Sequence, residues 1–383
     1  MFAGGTDLPA SVTPNLYKPV LGNHFFGDLL DGHDVFPIFP SGAYFGVSYL
    51  FFWITKSLYY EILFWIYALT AIFLAFISIK RWLRLVLKEN KTLVYVLHFA
   101  YPFIFASDRG QIQLIVGYLL AIAFSYLIEP NANRDKLWLG QIILGIALSI
   151  KIFPVVIVLG LHRFWSFKKW RLLFSSFILL AVSTPLVSFY LTNSIFHPDF
   201  FAGLYNDDQY FRSSLVHNTS LKALLFHINE VSFFKPLEMV AEVLFTNYSI
   251  FYVTFTLFAS VCLLSKPLTF QENLLAFAIL SISIIPIAAV YTQTLVCTVA
   301  LTALTENQII SRKRHNLFWF VVLISTAPIN IPLHAMRDRG YEVTFQAVVV
   351  PLVQHSYLFL LIGVALISAM RSLLSWLPRQ SLN

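Results

Sequence analysis

Lys151 stands alone in the apolar run ALSIKIFPVVIVL, residues 147–159. A charge at the centre of a membrane helix costs roughly 2.5–3.5 kcal/mol on insertion scales, so an ammonium group there needs a reason. Pro154 follows three residues on, and proline suits the first turn of a helix while breaking an interior. The two together predict a chain that stops, turns and starts a second helix. That arrangement brings an ammonium group and the unpaired N–H groups of a helix start to one point. Both favour an anion, and an anion held at membrane depth implies a lipid phosphate. The competing reading is one tilted helix over 137–164, with Lys151 snorkelling or paired to a buried acid.

Two further stretches carry isolated polar groups. SDRGQIQ supplies Asp108, Arg109 and Gln111 at a tight turn, and HNTSL supplies His217, Asn218 and Ser220. Each alone reads as a solvated loop residue. Facing one compartment together with Lys151, they read as the lining of one site.

The elements that would carry these groups follow from composition. The chain has 383 residues, 58% hydrophobic, 17% aromatic and only 12% charged. A soluble domain carries about 25% charged residues, so this surface is expected to face lipid. Apolar stretches fall near 58–79, 92–106, 112–128, 137–150, 152–164, 172–191, 246–265, 274–290, 291–305, 317–333 and 344–368, with a shorter one at 43–55. About 20 apolar residues cross a bilayer, and shorter runs serve where helices are broken and packed. The reading is an all-α polytopic protein, residues 1–383 forming a single integral membrane domain.

With the N-terminus outside, the odd-numbered connections hold seventeen of the 26 basic residues and five of the 19 acidic ones. Lys/Arg bias sets orientation, so the net charge of +7 is an orientation signal and no nucleic-acid partner is expected. Two long segments then lie outside, 1–42 and 192–245. Loops of that length are usually functional when rich in aromatics rather than disorder-prone. MFAGGTDLP lacks the basic and apolar regions of a signal peptide. Cys262 and Cys297 sit in apolar runs without the spacing of a disulfide framework or zinc site. Gly-rich phosphate loops, HExxH and GxSxG are absent from the sequence.

The stretch GQIQLIVGYLLAIAFSYL, a short basic loop, then LWLGQIILGIALSIKIFPVVIVL and RFWSFKKW resembles the family 87 glycosyltransferases. Gly110 and Gln111 match the start of the family pattern; Gly140, Gly145, Lys151 and Pro154 match its centre. FPIFPSGAYFGVSYLFF resembles the family's aromatic-Pro-Pro segment, keeping Pro40. NTSL is similar to its Asn-Gln-Ser-Leu motif, with Thr219 substituted. In IIPIAAVYTQ, Pro286 matches a later motif whose tryptophan and histidine are absent; Tyr291 in that stretch joins the substrate-binding candidates.

The resemblance implies a GT-C-like bundle of about 10–12 transmembrane helices, with outer loops forming the active-site cavity. It also implies a hexosyltransferase, mannosyltransferase-like, that takes sugar from a polyprenyl-phosphate donor to a lipid or glycan acceptor. The work would be done on the periplasmic or extracellular side of the plasma (inner) membrane. An outer-loop carboxylate would be the general base: Asp28, flanked by aromatics that can raise its pKa, with Asp7 and Asp34 as further candidates beside Asp31. Lys151 would stabilise the leaving phosphate, assisted by Arg109 and His24. Gln111, His217, Asn218, Ser220 and Tyr291 would hold substrate. No clustered ligand set calls for a metal, although GT-C enzymes can use a divalent ion. Two other classes compete: a transporter or flippase of lipid-linked sugars, and a non-catalytic GT-C-like subunit of a membrane complex.

Overall fold

The computed structural model describes residues 60–108, 112–129, 132–150, 153–161, 219–230, 238–264, 268–283, 290–305, 312–328, 332–333 and 343–376. These are helical apart from one short antiparallel bridge. The expected segments 43–55 and 172–191, and the first outer loop 1–42, lie outside the described residues.

Helix α1, Tyr60–Leu85, runs six residues beyond the expected span and through a basic turn. The reason lies in Arg81, which reaches the next hairpin instead of ending the helix. Its Nε donates to Ser125 Oγ at 3.1 Å, Nη2 donates to Glu129 Oε2 at 2.7 Å, and the guanidinium lies 3.6 Å from the centre of the Tyr126 ring. Residues 92–106, expected as one span, form two helices, α2 Lys91–His98 and α3 Tyr101–Asp108. Pro102 is the cause, since it has no N–H to give the His98 carbonyl four residues back. That carbonyl instead accepts from the Tyr118 hydroxyl at 3.5 Å.

Helices α4, Ile112–Leu127, and α5, Arg134–Ile150, make a close antiparallel hairpin. Gly140 sets its spacing: a Cβ there would stand 2.9 Å from Tyr126 Cβ and 3.2 Å from the Ala123 carbonyl oxygen. After Ile150 the chain restarts as a 3-10 turn, Phe153–Val156, and continues into α6, Ile157–Gly160. The expected outer loop 192–245 is helical in its last part, where α7 spans Leu221–Glu230 and α8 spans Glu238–Thr246. Both segments have helix-compatible apolar spacing, which the surrounding polar sequence obscured. Helix α9 is Tyr248–Leu263.

The centre of the bundle is α10, Phe270–Ser283, with all its residues buried, and α11, Thr294–Ala303, buried from Thr294 to Thr302. A helix apolar on every side belongs inside a bundle. Thr269 and Glu272 form a capping box at the start of α10: Thr269 N–H donates to Glu272 Oε2 at 2.9 Å, and Glu272 N–H donates to Thr269 Oγ1 at 3.3 Å. Helix α12, Arg312–Thr326, and helix α13, Phe345–Trp376, pack against this centre and flank a bridge of β1, Pro332–Leu333, with β2, Val343–Thr344.

The helix ends sort into two groups. At one end Glu129 joins Arg81 and Lys136, Asn90 Nδ2 donates to the Leu304 carbonyl at 3.2 Å, and Arg314 clasps Glu272 through two nitrogens. At the other end Tyr248 donates to the Ser283 carbonyl at 2.7 Å, and Gln293, Gln354, Ser325 and Thr219 meet. Every ion pair among the described residues joins side chains that the charge alternation assigns to the basic side. Large apolar side chains such as Ile72, Phe73, Phe76, Ile250, Leu257 and Val261 cover the outside of α1 and α9. Among the described residues, Ala347–Ser372 is by itself long and apolar enough to cross a membrane, with mean hydropathy 1.9. Gln113–Leu127, Phe270–Ser283 and Thr294–Ala303 are shorter apolar helices.

Candidate functional site

One helical arm ends at Ile150 and the next described arm begins at Phe153. Helix α5 starts at the basic end, beside the Lys136–Glu129 pair, and by Ile150 has climbed about 21 Å at 1.5 Å per residue. Gly160 is back beside the first turns of α10: a Cβ there would stand 3.1 Å from Leu274 Cδ1 and 3.1 Å from Phe277 Cδ2. One continuous helix would instead carry Gly160 about 39 Å from the start of α5. The described arms, Arg134–Ile150 and the stretch from Phe153 to Gly160, are therefore not one continuous helix. Pro154 sits in the first turn of the returning arm and is buried. Counting back from Gly160 through α6 and the 3-10 turn puts Phe153 about 12 Å farther from the basic end. That is near the level of Ser283.

A layer of buried polar groups lies at that same level. Gln293 closes the 3-10 turn Val290–Gln293 that leads into α11, and its Nε2 donates to Thr219 Oγ1 at 3.0 Å. Gln293 Oε1 accepts from Gln354 Nε2 at 2.7 Å, and the same nitrogen donates to Ser325 Oγ at 2.9 Å. All four side chains are fully buried, and Gln354 Oε1 has no hydrogen-bond partner. Next to Gln354 on α13, His355 Nε2 lies 2.8 Å from Ser283 Oγ, while its Nδ1 lies 2.6 Å from the Pro351 carbonyl oxygen. Buried polar groups in an apolar setting persist only when paired, so this layer fixes five elements relative to one another.

The layer is shallow relative to the molecule. From Glu272 to Ser283 α10 rises about 16 Å, and from Thr294 to Leu304 α11 rises about 15 Å. Helix α3 packs on the 3-10 turn at Val290–Gln293. Gly117, one turn into α4, approaches Thr294, with a Cβ position 3.0 Å from Thr294 Cβ. The end of α3 and the start of α4, which flank residues 109–111, thus meet the layer from one side. The 219–220 segment meets it from another.

Among the residues picked out from sequence, Ser220 is buried and serves as the N-cap of α7, its Oγ accepting from the Ala223 N–H at 3.1 Å. Tyr291 lies in the 3-10 turn that carries Gln293. Asp7, His24, Asp28, Asp34, Arg109, Gln111, Lys151, His217 and Asn218 lie outside the described residues. Gln293, Ser325 and Gln354 were missed by sequence reasoning. The signal was available for Gln354, an amide inside the apolar run PLVQHSYLFLL, by the same logic that singled out Lys151. Among the described residues no three His, Cys, Asp or Glu side chains gather as a metal would need.

The sequence pattern of glycosyltransferase family 87 matches residues 44–282, more than half of the chain. The match includes the reversal after Ile150 and the Thr219–Ser220 turn, and ends before Gln293, Ser325 and Gln354. No curated protein and no solved structure matches.

Proposed function

Because the chain belongs to glycosyltransferase family 87, we propose that this enzyme moves a mannose-like hexose from a polyprenyl-phosphate donor to a lipid or glycan acceptor. It does so as a multi-pass GT-C-like protein of the plasma (inner) membrane, at the outer face. The observation that carries the reading is the depth of the polar layer. It stands about 16 Å from the basic end, roughly half the 30 Å thickness of a bilayer core. Polar groups at that depth suit a head group whose isoprenoid tail remains in lipid. The returning arm begins at Phe153, two residues after Lys151, near that level.

In the proposed reaction an outer-loop carboxylate, Asp28 ahead of Asp7 and Asp34, takes the proton from the acceptor hydroxyl. The freed oxygen attacks the anomeric carbon, and the bond from that carbon to the phosphate oxygen breaks. Polyprenyl phosphate leaves with the electron pair, and the anomeric configuration inverts. Negative charge grows on the departing phosphate, where Lys151, with Arg109 and His24, stabilises it. A preorganised group of this kind is worth about 10²–10³ in rate. Gln111, His217, Asn218, Ser220 and Tyr291 hold the sugar and acceptor in line.

Incubating the purified protein in nanodiscs with labelled polyprenyl-phosphate hexose and a membrane lipid extract tests the reading. The expected result is loss of donor with appearance of glycosylated lipid or glycan. Donor that stays chemically intact contradicts it; donor relocated intact across a liposome membrane indicates a transporter instead.

A further inference from the structure

Thr219, Gln293, Gln354 and Ser325 come from four separate stretches of chain yet form one hydrogen-bonded line. Gln354 Nε2 spends its two hydrogens on Gln293 Oε1 and Ser325 Oγ. Gln293 Oε1 accepts from Gln354, and its Nε2 donates to Thr219 Oγ1 at 3.0 Å. The Thr219 hydroxyl is the acceptor on that side. Immediately after it, Ser220 caps α7, so the turn at 219–220 is pinned on one side by the carboxamides and on the other by a helix start. His217 and Asn218 are its direct neighbours in the chain.

We infer that Gln293 and Gln354 act as a carboxamide relay that positions the Thr219–Ser220 turn for substrate, which makes α12 and α13 part of the site. This rests on the glycosyltransferase reading above for its kinetic consequence, and on geometry alone for its structural one. The relay works through Thr219, so its members are positioning residues. Three of them, Gln293, Ser325 and Gln354, lie beyond the region that matches the family. A network that merely stabilised the bundle would alter unfolding and leave substrate affinity untouched. A relay ending on the substrate-facing turn alters affinity first.

The test uses the full chain in nanodiscs, with Thr219→Val, Thr219→Ser, Gln293→Leu, Gln354→Leu and the Thr219→Val/Gln354→Leu pair. Thr219→Val keeps shape while removing the hydroxyl, so it remains informative if a glutamine variant fails to fold. For labelled polyprenyl-phosphate hexose, each disrupting single is expected to raise KM about tenfold, the equivalent of one good hydrogen bond, with kcat within about threefold. The pair should be no worse than its more severe member, because the line is broken once either link is gone. Thr219→Ser, which keeps the acceptor, should stay within about threefold of wild type. Backbone amide exchange at 219–220 should quicken about tenfold in the disrupting variants. An unchanged KM in a folded variant, losses that multiply in the pair, or Thr219→Ser as damaged as Thr219→Val would overturn the relay. If wild type consumes no donor, the glycosyltransferase proposal fails by itself. Amide exchange then decides the relay, with unchanged exchange at 219–220 in Gln354→Leu refuting it.

Discussion

A methyl group at residue 140 would meet Tyr126 Cβ at 2.9 Å and Leu127 Cδ2 at 3.1 Å, close to backbone that has little room to move. Elsewhere in a helix, alanine in place of glycine gains about 1 kcal/mol. Here overpacking should reverse the sign, with Gly140→Ala losing about 1–3 kcal/mol. Thermal unfolding in detergent reads this as a lowered midpoint; a raised one would mean the hairpin is looser than described. At the same scale Lys151→Ala should weaken polyprenyl-phosphate binding severalfold or more in a filter or calorimetric assay. Unchanged affinity would remove the ammonium from the phosphate site. Lys151 stands out in the sequence because it is a charge in an apolar run. The relay does not, since its four members are spread over more than a hundred residues and only folding shows that they meet. Ser220, which the sequence marked for substrate, also accepts from the Ala223 N–H at the start of α7.

At the scale of elements, hydropathy found most helices to within a few residues, among them α4, α9 and the centre of α10. It misplaced boundaries wherever one side chain outweighed the pattern. Pro102 split an expected span because its missing N–H leaves a carbonyl that Tyr118 must satisfy. Arg81 prolonged α1 because its charge is neutralised on Glu129. That cluster carries a pH signature. Burial by itself raises the Glu129 carboxyl, but the hydrogen bonds and charges of Lys136 and Arg81 outweigh it and hold the group below its ordinary 4.5. A carboxylate with a depressed folded value stabilises the protein above its unfolded value, and that contribution is lost as pH falls through the folded one. The thermal midpoint should therefore drop on acidification below about 4.5, and drop less in Glu129→Gln. Parallel pH profiles for the two proteins would mean that the cluster contributes nothing to the linkage.

At the scale of the molecule, the sequence predicted two families of helix ends from lysine and arginine alone, and the described contacts keep them apart. What it did not convey is how near they are. Helices α10 and α11 separate the polar layer from the basic end by about half a bilayer core, while α13 runs 32 residues from Phe345 to Trp376. Sidedness follows as a prediction. In a background without Cys262 and Cys297, Lys313→Cys should react with an impermeant maleimide only from the cytoplasmic side, and Asn247→Cys only from outside. Labelling of both from one side would break the alternation on which the outer-face assignment stands.

The most direct measurement of the central claim is single-turnover consumption of labelled polyprenyl-phosphate hexose by the wild type and by Asp28→Asn, both verified as folded in nanodiscs. The account predicts that the wild type releases polyprenyl phosphate while transferring an inverted sugar, and that Asp28→Asn is slower by at least about 10²-fold, the lower range for a lost general base. Intact donor with the wild type, or equal rates for the two proteins, would contradict it.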